Sequence, residues 1–210
     1  MDRRTFLKKL AIYSSVMAIP APIQALASRD ERIFDGYDIK RVQKGYDIEN
    51  KKFWSQPREV YVKLKETDEV VRALYWKDGE VVNSGYQDLC WLMRDFHVDE
   101  AIEMDVQLLN LMYALQSWLG MYGTQQPLYI HSAYRSPETN RNTAFAATRS
   151  LHMTGQALDF SVEDVKGVDL LRLAGFLGAG GLGFYPRRST NFIHMDTGDI
   201  RYWGFNPARY

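Results

Sequence analysis

The sequence predicts an α+β fold, a single domain with a central antiparallel sheet and flanking helices. Short alternating or β-branched runs recur at Val60–Leu64, Val70–Trp76, Leu128–Ala133, Ala157–Val162 and Phe192–Asp196. Runs of that length and composition suit strands rather than helices. A longer stretch places Leu108, Leu111, Met112, Leu115, Trp118 and Leu119 at three- and four-residue steps, the stripe of a core-facing helix. No internal repeat or low-complexity tract interrupts this order.

Taken from the N-terminus, Arg3 and Arg4 precede Thr5-Phe6-Leu7-Lys8, an apolar run from Leu10 to Ile19, and Ala25-Leu26-Ala27. A charged start, a short apolar middle and an A-x-A end form a secretory signal, and the paired arginines resemble the twin-arginine type. The run is shorter than the roughly 20 apolar residues a spanning helix needs. Residues 1–27 are therefore expected to be a twin-arginine signal peptide, cleaved or kept as an anchor, with the mature protein periplasmic and without a membrane span. Residues 28–57 lack a sustained period and read as an irregular arm. Residues 58–210 form the domain, expected to be a monomer.

Within it, Asp78-Gly79 is a hairpin signal between Trp76 and Val81, so the first strands form a β-meander. Tyr86–Phe96 reads as a short helix. Asp105 is placed to cap the longer helix, which Gly120 ends. Leu128–Ala133 is followed by a polar loop through Arg149. Val168–Leu177 reads as another amphipathic helix, the Gly178, Gly180, Gly181 and Gly183 cluster as a flexible turn, and Phe192–Asp196 as a third strand of this half.

Lys plus Arg number 26 and Asp plus Glu number 26. That balance gives no electrostatic reason to expect nucleic acid or an acidic membrane as partner. Cys90 is the one cysteine, so no internal disulfide can form, and its neighbours Leu89, Trp91 and Leu92 suit a buried small hydrophobe.

Three segments put histidine or carboxylate in unusual company: Ser132–Pro137, Ser150–Asp159 and Phe192–Gly198. A catalytic zinc site uses three His or carboxylate ligands and leaves a fourth position open. His152 and Asp159, with Gly155 allowing the chain to double back between them, offer two ligands, and His194 a third. On a strand His194 and Asp196 face one side. Asp196 is thus either a general base accepting a proton from water or an orienting partner of His194. Arg135 carries paired donors suited to a planar carboxylate, or forms a structural ion pair. Ser132, Asn140 and Ser150 are substrate contacts or caps. His131, expected opposite Ser132 on its strand, reads as structural, and His97 as a surface residue.

Together, S-x-Y-R-S at Ser132–Ser136, S-x-H-x2-G-x-A-x-D at Ser150–Asp159 and H-x-D-x-G at His194–Gly198 resemble the D-Ala-D-Ala metallopeptidases. These belong to a group that includes the lysostaphin-type peptidases and the hedgehog domain. The similarity is closer to the murein endopeptidase K-like subfamily, through Tyr75-Trp76-x2-Gly79, the helix around Leu108–Gly120 and Gly181-x-Gly183-x-Tyr185, and spans about Val60 to Trp203. It implies a hedgehog/D-Ala-D-Ala-peptidase-like fold and zinc held by His152, Asp159 and His194. Arg135 would contact a carboxylate or carbonyl of the peptide, and the activity would be a zinc-dependent murein endopeptidase cutting peptidoglycan stem-peptide cross-links. A D-Ala carboxypeptidase and a non-catalytic zinc-bearing binding module are the alternatives. Several relatives have a general-base Glu three residues before the last ligand. Asn191 stands there in this chain, which leaves Asp196 as the candidate base, with Glu138 and Asp199 in reserve.

Overall fold

The computed structural model describes residues 51–186 and 191–204. The signal segment and residues 28–50 of the arm lie outside them. The end of the arm is not irregular: Lys51–Ser55 forms a short helix, α1. Trp54 is buried, and Phe53 stacks on Tyr113, so apolar burial folds a segment too short to show a period.

Among the described residues, eight strands form one sheet: β1 (Arg58–Leu64), β2 (Val70–Lys77), β3 (Glu80–Val81), β4 (Leu128–Ser132), β5 (Ala157–Ser161), β6 (Gly181–Pro186), β7 (Asn191–Asp196) and β8 (Arg201–Trp203). Their order is β3-β2-β1-β4-β5-β7-β6-β8. The sheet is mostly antiparallel, with β1/β4 and β6/β8 parallel. The Asp78-Gly79 turn has φ of 53° and 91°, the left-handed pair a two-residue hairpin requires.

The helices are α2 (Asn83–Leu92), α3 (Val106–Met121), α4 (Pro137–Asn142) and α5 (Gly167–Phe176). Asp105 caps α3 by accepting from the Gln107 N–H. It also receives the Thr197 hydroxyl at 2.7 Å, and its own N–H reaches the Gly155 carbonyl. The start of α3 is thereby tied to the segments that carry His152 and His194. α4 lies inside the stretch read as a loop. Its signal was present, since the Ser136 hydroxyl caps it and Pro137 occupies the first turn.

The core has a simple origin. Val60, Val62, Leu64, Leu128, Ile130, Leu158, Phe160, Leu182, Phe184, Ile193 and Met195 are all buried, and strand register puts them on one face, against the helices. Alternation sends Tyr61, Lys63, Tyr129, Asp159, Ser161, Phe192, His194 and Asp196 to the other face.

The glycine cluster is not a turn throughout. Gly178 (φ 83°) follows α5, but Gly181 and Gly183 lie in β6. A Cβ on Gly181 would fall 2.3 Å from the Asp196 carboxylate, and one on Gly183 2.5 Å from the Trp203 indole. These glycines are spaces left for site residues, a demand that local sequence does not reveal.

Candidate metal centre

His152 sits in a single 3₁₀ turn, Leu151–Thr154, capped at its start by the Ser150 hydroxyl and closed by Gly155 in the left-handed region at φ 67°. A Cβ at Gly155 would meet the Glu103 carbonyl at 2.9 Å, so both conformation and space call for glycine. The turn hands the chain to β5, where Asp159 pairs across from His194 of β7. His152 Nε2, His194 Nδ1 and the Asp159 carboxylate converge within 4.8 Å of one another. All three residues are buried.

The outward nitrogens fix which atoms face inward. His152 Nδ1 lies 2.6 Å from the Ala133 carbonyl and donates to it, so Nε2 carries the lone pair. His194 Nε2 lies 2.9 Å from Asp196 Oδ2, leaving Nδ1 toward Asp159 at 2.8 Å. Ligating histidines are held in this way by carbonyl and carboxylate partners. Two imidazoles and one carboxylate, oriented and buried, fit a divalent cation of the zinc type.

Burial opposes ionisation of Asp159, but the electrostatic pull of the neighbouring His152 and hydrogen bonds to both histidines outweigh it and hold its carboxyl below the usual range. Burial likewise lowers His194, yet its bonds to Asp159 and Asp196 raise it overall. Asp196 is wholly buried. Its Oδ1 accepts the Gly181 and Gly198 N–H groups at 2.8 and 2.9 Å, and Oδ2 accepts Arg201 Nη2 at 2.6 Å besides His194. Against the cost of burial, these hydrogen bonds lower its pKa. Asp196 thus backs His194 on the side away from the converging ligand atoms.

Arg135 does reach the centre. Its Nη2 donates to Asp159 Oδ2 at 2.6 Å and to His152 Nε2 at 3.0 Å, while Nε donates to Ser132 Oγ at 2.8 Å. Ser132 and Ser150 therefore both make intramolecular contacts, one to Arg135 and the other to the His152 turn. Asn140 is also occupied, donating to the Ala147 carbonyl. Asn191 lies elsewhere: its Oδ1 is 2.8 Å from where a Gly167 Cβ would stand, at the start of α5.

Three contributors escaped the sequence reading. Asp95, buried, accepts the Ser136 N–H at 2.8 Å and so anchors the segment after Arg135; nothing in its local pattern marks it. Arg201 braces Asp196 from five residues away. His131 was expected opposite Ser132, but a bulge between Ile130 and Ser132 adds a residue and brings both to the site face. There His131 Nε2 meets Ser161 Oγ at 2.9 Å, and the ring stacks on Phe192. Phe192 stacks on Tyr185, whose hydroxyl accepts Trp203 Nε1–H at 2.7 Å; Trp203 packs on the His194 ring. An aromatic row thus borders the centre.

Burial, and after it the Lys65 ammonium, push His131 down to about 4 from its ordinary 6.5, against an upward pull from Asp159. The unfolded chain takes up this proton below pH 6.5 and the folded chain only near 4. Stability is therefore present above 6.5 and lost as pH falls through that window. His131 is only half buried, so the full shift is discounted to about 1–2 kcal/mol. Between pH 7 and 4.5, denaturant titrations should show wild type losing that much more stability than His131→Gln.

Residues 52–203 match the family model described as peptidoglycan L,D-endopeptidase MepK. The chain is 32% identical over 152 residues to the peptidoglycan L,D-endopeptidase MepK of Escherichia coli (strain K12), covering 70% of this chain and 81% of that one. The probable peptidoglycan L,D-endopeptidase MepK of Haemophilus influenzae is 35% identical over 119 residues, 55% of this chain and 62% of its own. The matched span contains the whole sheet and every residue of the His152–Asp159–His194 centre, and the chain belongs to the M15 peptidase family of the peptidoglycan L,D-endopeptidase MepK type.

Proposed function

We propose that this protein is a zinc-dependent murein endopeptidase that hydrolyses amide bonds in peptidoglycan stem-peptide cross-links. The observation that carries this reading is the convergence of His152 Nε2, His194 Nδ1 and the Asp159 carboxylate beside the Arg135 guanidinium, within 4.8 Å. The MepK relatives, peptidoglycan L,D-endopeptidases, support the substrate class. Zinc bound there supplies Lewis-acid polarisation of a peptide carbonyl and acidifies a water molecule.

The chain's own groups have separable tasks. Ala133 and Asp196 hold the two imidazoles in the tautomers that direct Nε2 of His152 and Nδ1 of His194 inward. We assign Asp196 this orienting role in place of the general-base role that sequence order offered, because its oxygens are already filled and no solvent reaches them. Arg135 binds the substrate carbonyl or carboxylate, Ser132 steers Arg135, and Ser150 shapes the His152 turn. Proton acceptance falls to another carboxylate, with the exposed Glu138 and Asp199 as the candidates.

Purified sacculi provide the test. The wild type should release muropeptides, a chelator should stop release and zinc should restore it. No release under any condition would leave the binding-module reading, and release of terminal D-Ala alone would make the enzyme a carboxypeptidase. Arg135→Lys keeps charge but loses the planar fork. It should lower turnover about 10- to 100-fold, on the order of 1.4–2.7 kcal/mol of barrier, with zinc content unchanged.

The protein acts in the periplasm, delivered by the Arg3-Arg4 signal; replacing both by Lys should leave precursor in the cytoplasm. Among the described residues no helix is long and apolar enough to cross a membrane.

A further inference from the structure

Arg135 projects toward the centre from a main chain that three other segments hold. Its own N–H donates to the His152 carbonyl at 3.2 Å, the Tyr134 N–H before it to the Met93 carbonyl at 3.0 Å, and the Ser136 N–H after it to Asp95 Oδ2 at 2.8 Å. Two of these acceptors are main-chain carbonyls, which any residue supplies. The third is a side chain, and it is the contact that depends on residue type.

Asp95 is well placed to make it. The residue is 2% exposed and Ser136 3%, so a buried carboxylate meets a buried amide. Such a charge persists away from water only where donors surround it. Asp95 Oδ1 accepts the His97 N–H at 3.1 Å. Burial alone would push the carboxyl up, but the Thr139 hydroxyl, the amide and hydroxyl of Ser136 and the His97 N–H outweigh it and hold it below its ordinary value. The loop that carries Asp95 is fixed in turn. Asp95 and Glu100 exchange main-chain hydrogen bonds at 2.8 and 3.3 Å. Arg94 beside it donates to Asp99 at 2.9 Å and to Glu69 at 2.9 and 3.3 Å. Asp95 therefore grips Ser136 from a rigid base.

We propose that Asp95 is a positioning residue: through the Ser136 amide it fixes the direction of the Arg135 guanidinium toward the substrate, while zinc binding does not depend on it. Without the carboxylate, the buried Ser136 N–H must find another acceptor, and the adjoining Arg135 main chain turns with it. The guanidinium then leaves the line on which a substrate carbonyl or carboxylate meets it, and misplacement on the ångström scale is enough to slow turnover. The inference rests on the peptidase reading for its effect on rate, but the direction of Arg135 can be measured without turnover.

The experiment compares the full zinc-loaded chain with its Asp95→Asn and Asp95→Ala variants. The NMR signal of the Arg135 Nε–H, bonded to Ser132 Oγ at 2.8 Å, reports the direction. It should stand apart from the solvent-averaged arginine signals in the wild type. In Asp95→Asn, which keeps one acceptor for the Ser136 N–H, it should be displaced; in Asp95→Ala it should merge with them. Zinc content should match the wild type in both. On purified cross-linked muropeptides kcat/KM should fall about 3-fold for Asp95→Asn and on the order of 10-fold for Asp95→Ala. In an Arg135→Ala background the same substitutions should change kcat/KM less than about twofold, because no guanidinium is left to direct. A purely structural role would lower the rate by the same factor in both backgrounds. Should Asp95→Ala not fold, Asp95→Asn decides. An undisturbed Nε–H signal in a folded variant, loss of zinc, or equal rate losses in the two backgrounds would each overturn the positioning role. A wild type that cleaves no muropeptide, with the Nε–H signal responding to Asp95 as expected, would overturn the peptidase reading alone.

Discussion

His194→Ala is expected to hold less than a tenth of the wild-type zinc and to release muropeptides about 10³-fold more slowly or not at all, since Lewis-acid catalysis is worth several kcal/mol and each 1.36 kcal/mol is tenfold in rate. The imidazole is both a proposed ligand and the link between Asp159 and Asp196, at 2.8 and 2.9 Å. Metal analysis of the purified variant and release from sacculi are the measurements. Circular dichroism should confirm that the sheet persists, since Ile193 and Met195 beside it are untouched core residues. Full zinc in a folded His194→Ala protein would remove His194 from the ligand set. A pH dependence accompanies this result. The two carboxylates raise the pKa of His194 despite burial, so a proton competes with the metal for Nδ1. Zinc uptake should strengthen as pH rises through that raised pKa and weaken on acidification.

Asp196→Asn should give the second-largest effect, and it separates two roles. The amide keeps the shape, and its oxygen can still accept the Gly181 and Gly198 N–H groups. Its NH₂, however, then faces His194 Nε2–H and Arg201, donor against donor, where a carboxylate oxygen accepted both at 2.9 and 2.6 Å. Rotating the amide only moves the conflict to the two glycines. Loss of such an orienting partner typically costs 10- to 100-fold in metal affinity or activity. Leaving buried donors unmatched adds about 1–3 kcal/mol of destabilisation. Competition against a chelator should show the weaker affinity, and most of the rate should return at saturating zinc. A general base would behave otherwise: zinc affinity would be unchanged and the rate would stay down 10²–10⁴-fold at every zinc concentration.

Much of this protein was legible from local pattern because local pattern encodes period, caps and turns. The α3 stripe, its Asp105 cap, the Asp78-Gly79 hairpin and the strands at Val60, Leu128, Ala157 and Phe192 all follow from backbone geometry and side-chain alternation. The grouping of His152, Asp159 and His194 was legible through motif spacing and the resemblance it carries. What failed had a common cause. The helix at α1 and the β6 strand through Gly181 and Gly183 are decided by what packs against them: Tyr113 in one case, Asp196 and Trp203 in the other.

The sequence by itself determined the α+β class, the positions of β1, β2, β4, β5 and β7 and of the long helix α3, the grouping of His152, Asp159 and His194, and the arginine beside it. Only the tertiary structure decided how those groups are arranged. It turned Asp196 away from the converging ligand atoms and filled its oxygens with Gly181, Gly198 and Arg201. It used a bulge to bring His131 to the site face, and it anchored the Arg135 segment through Asp95, more than 40 residues distant in the chain. The physical reason is that period and propensity act over a few neighbouring residues. Burial, register and hydrogen-bond satisfaction are settled between segments far apart in sequence, and no window of the chain contains both partners.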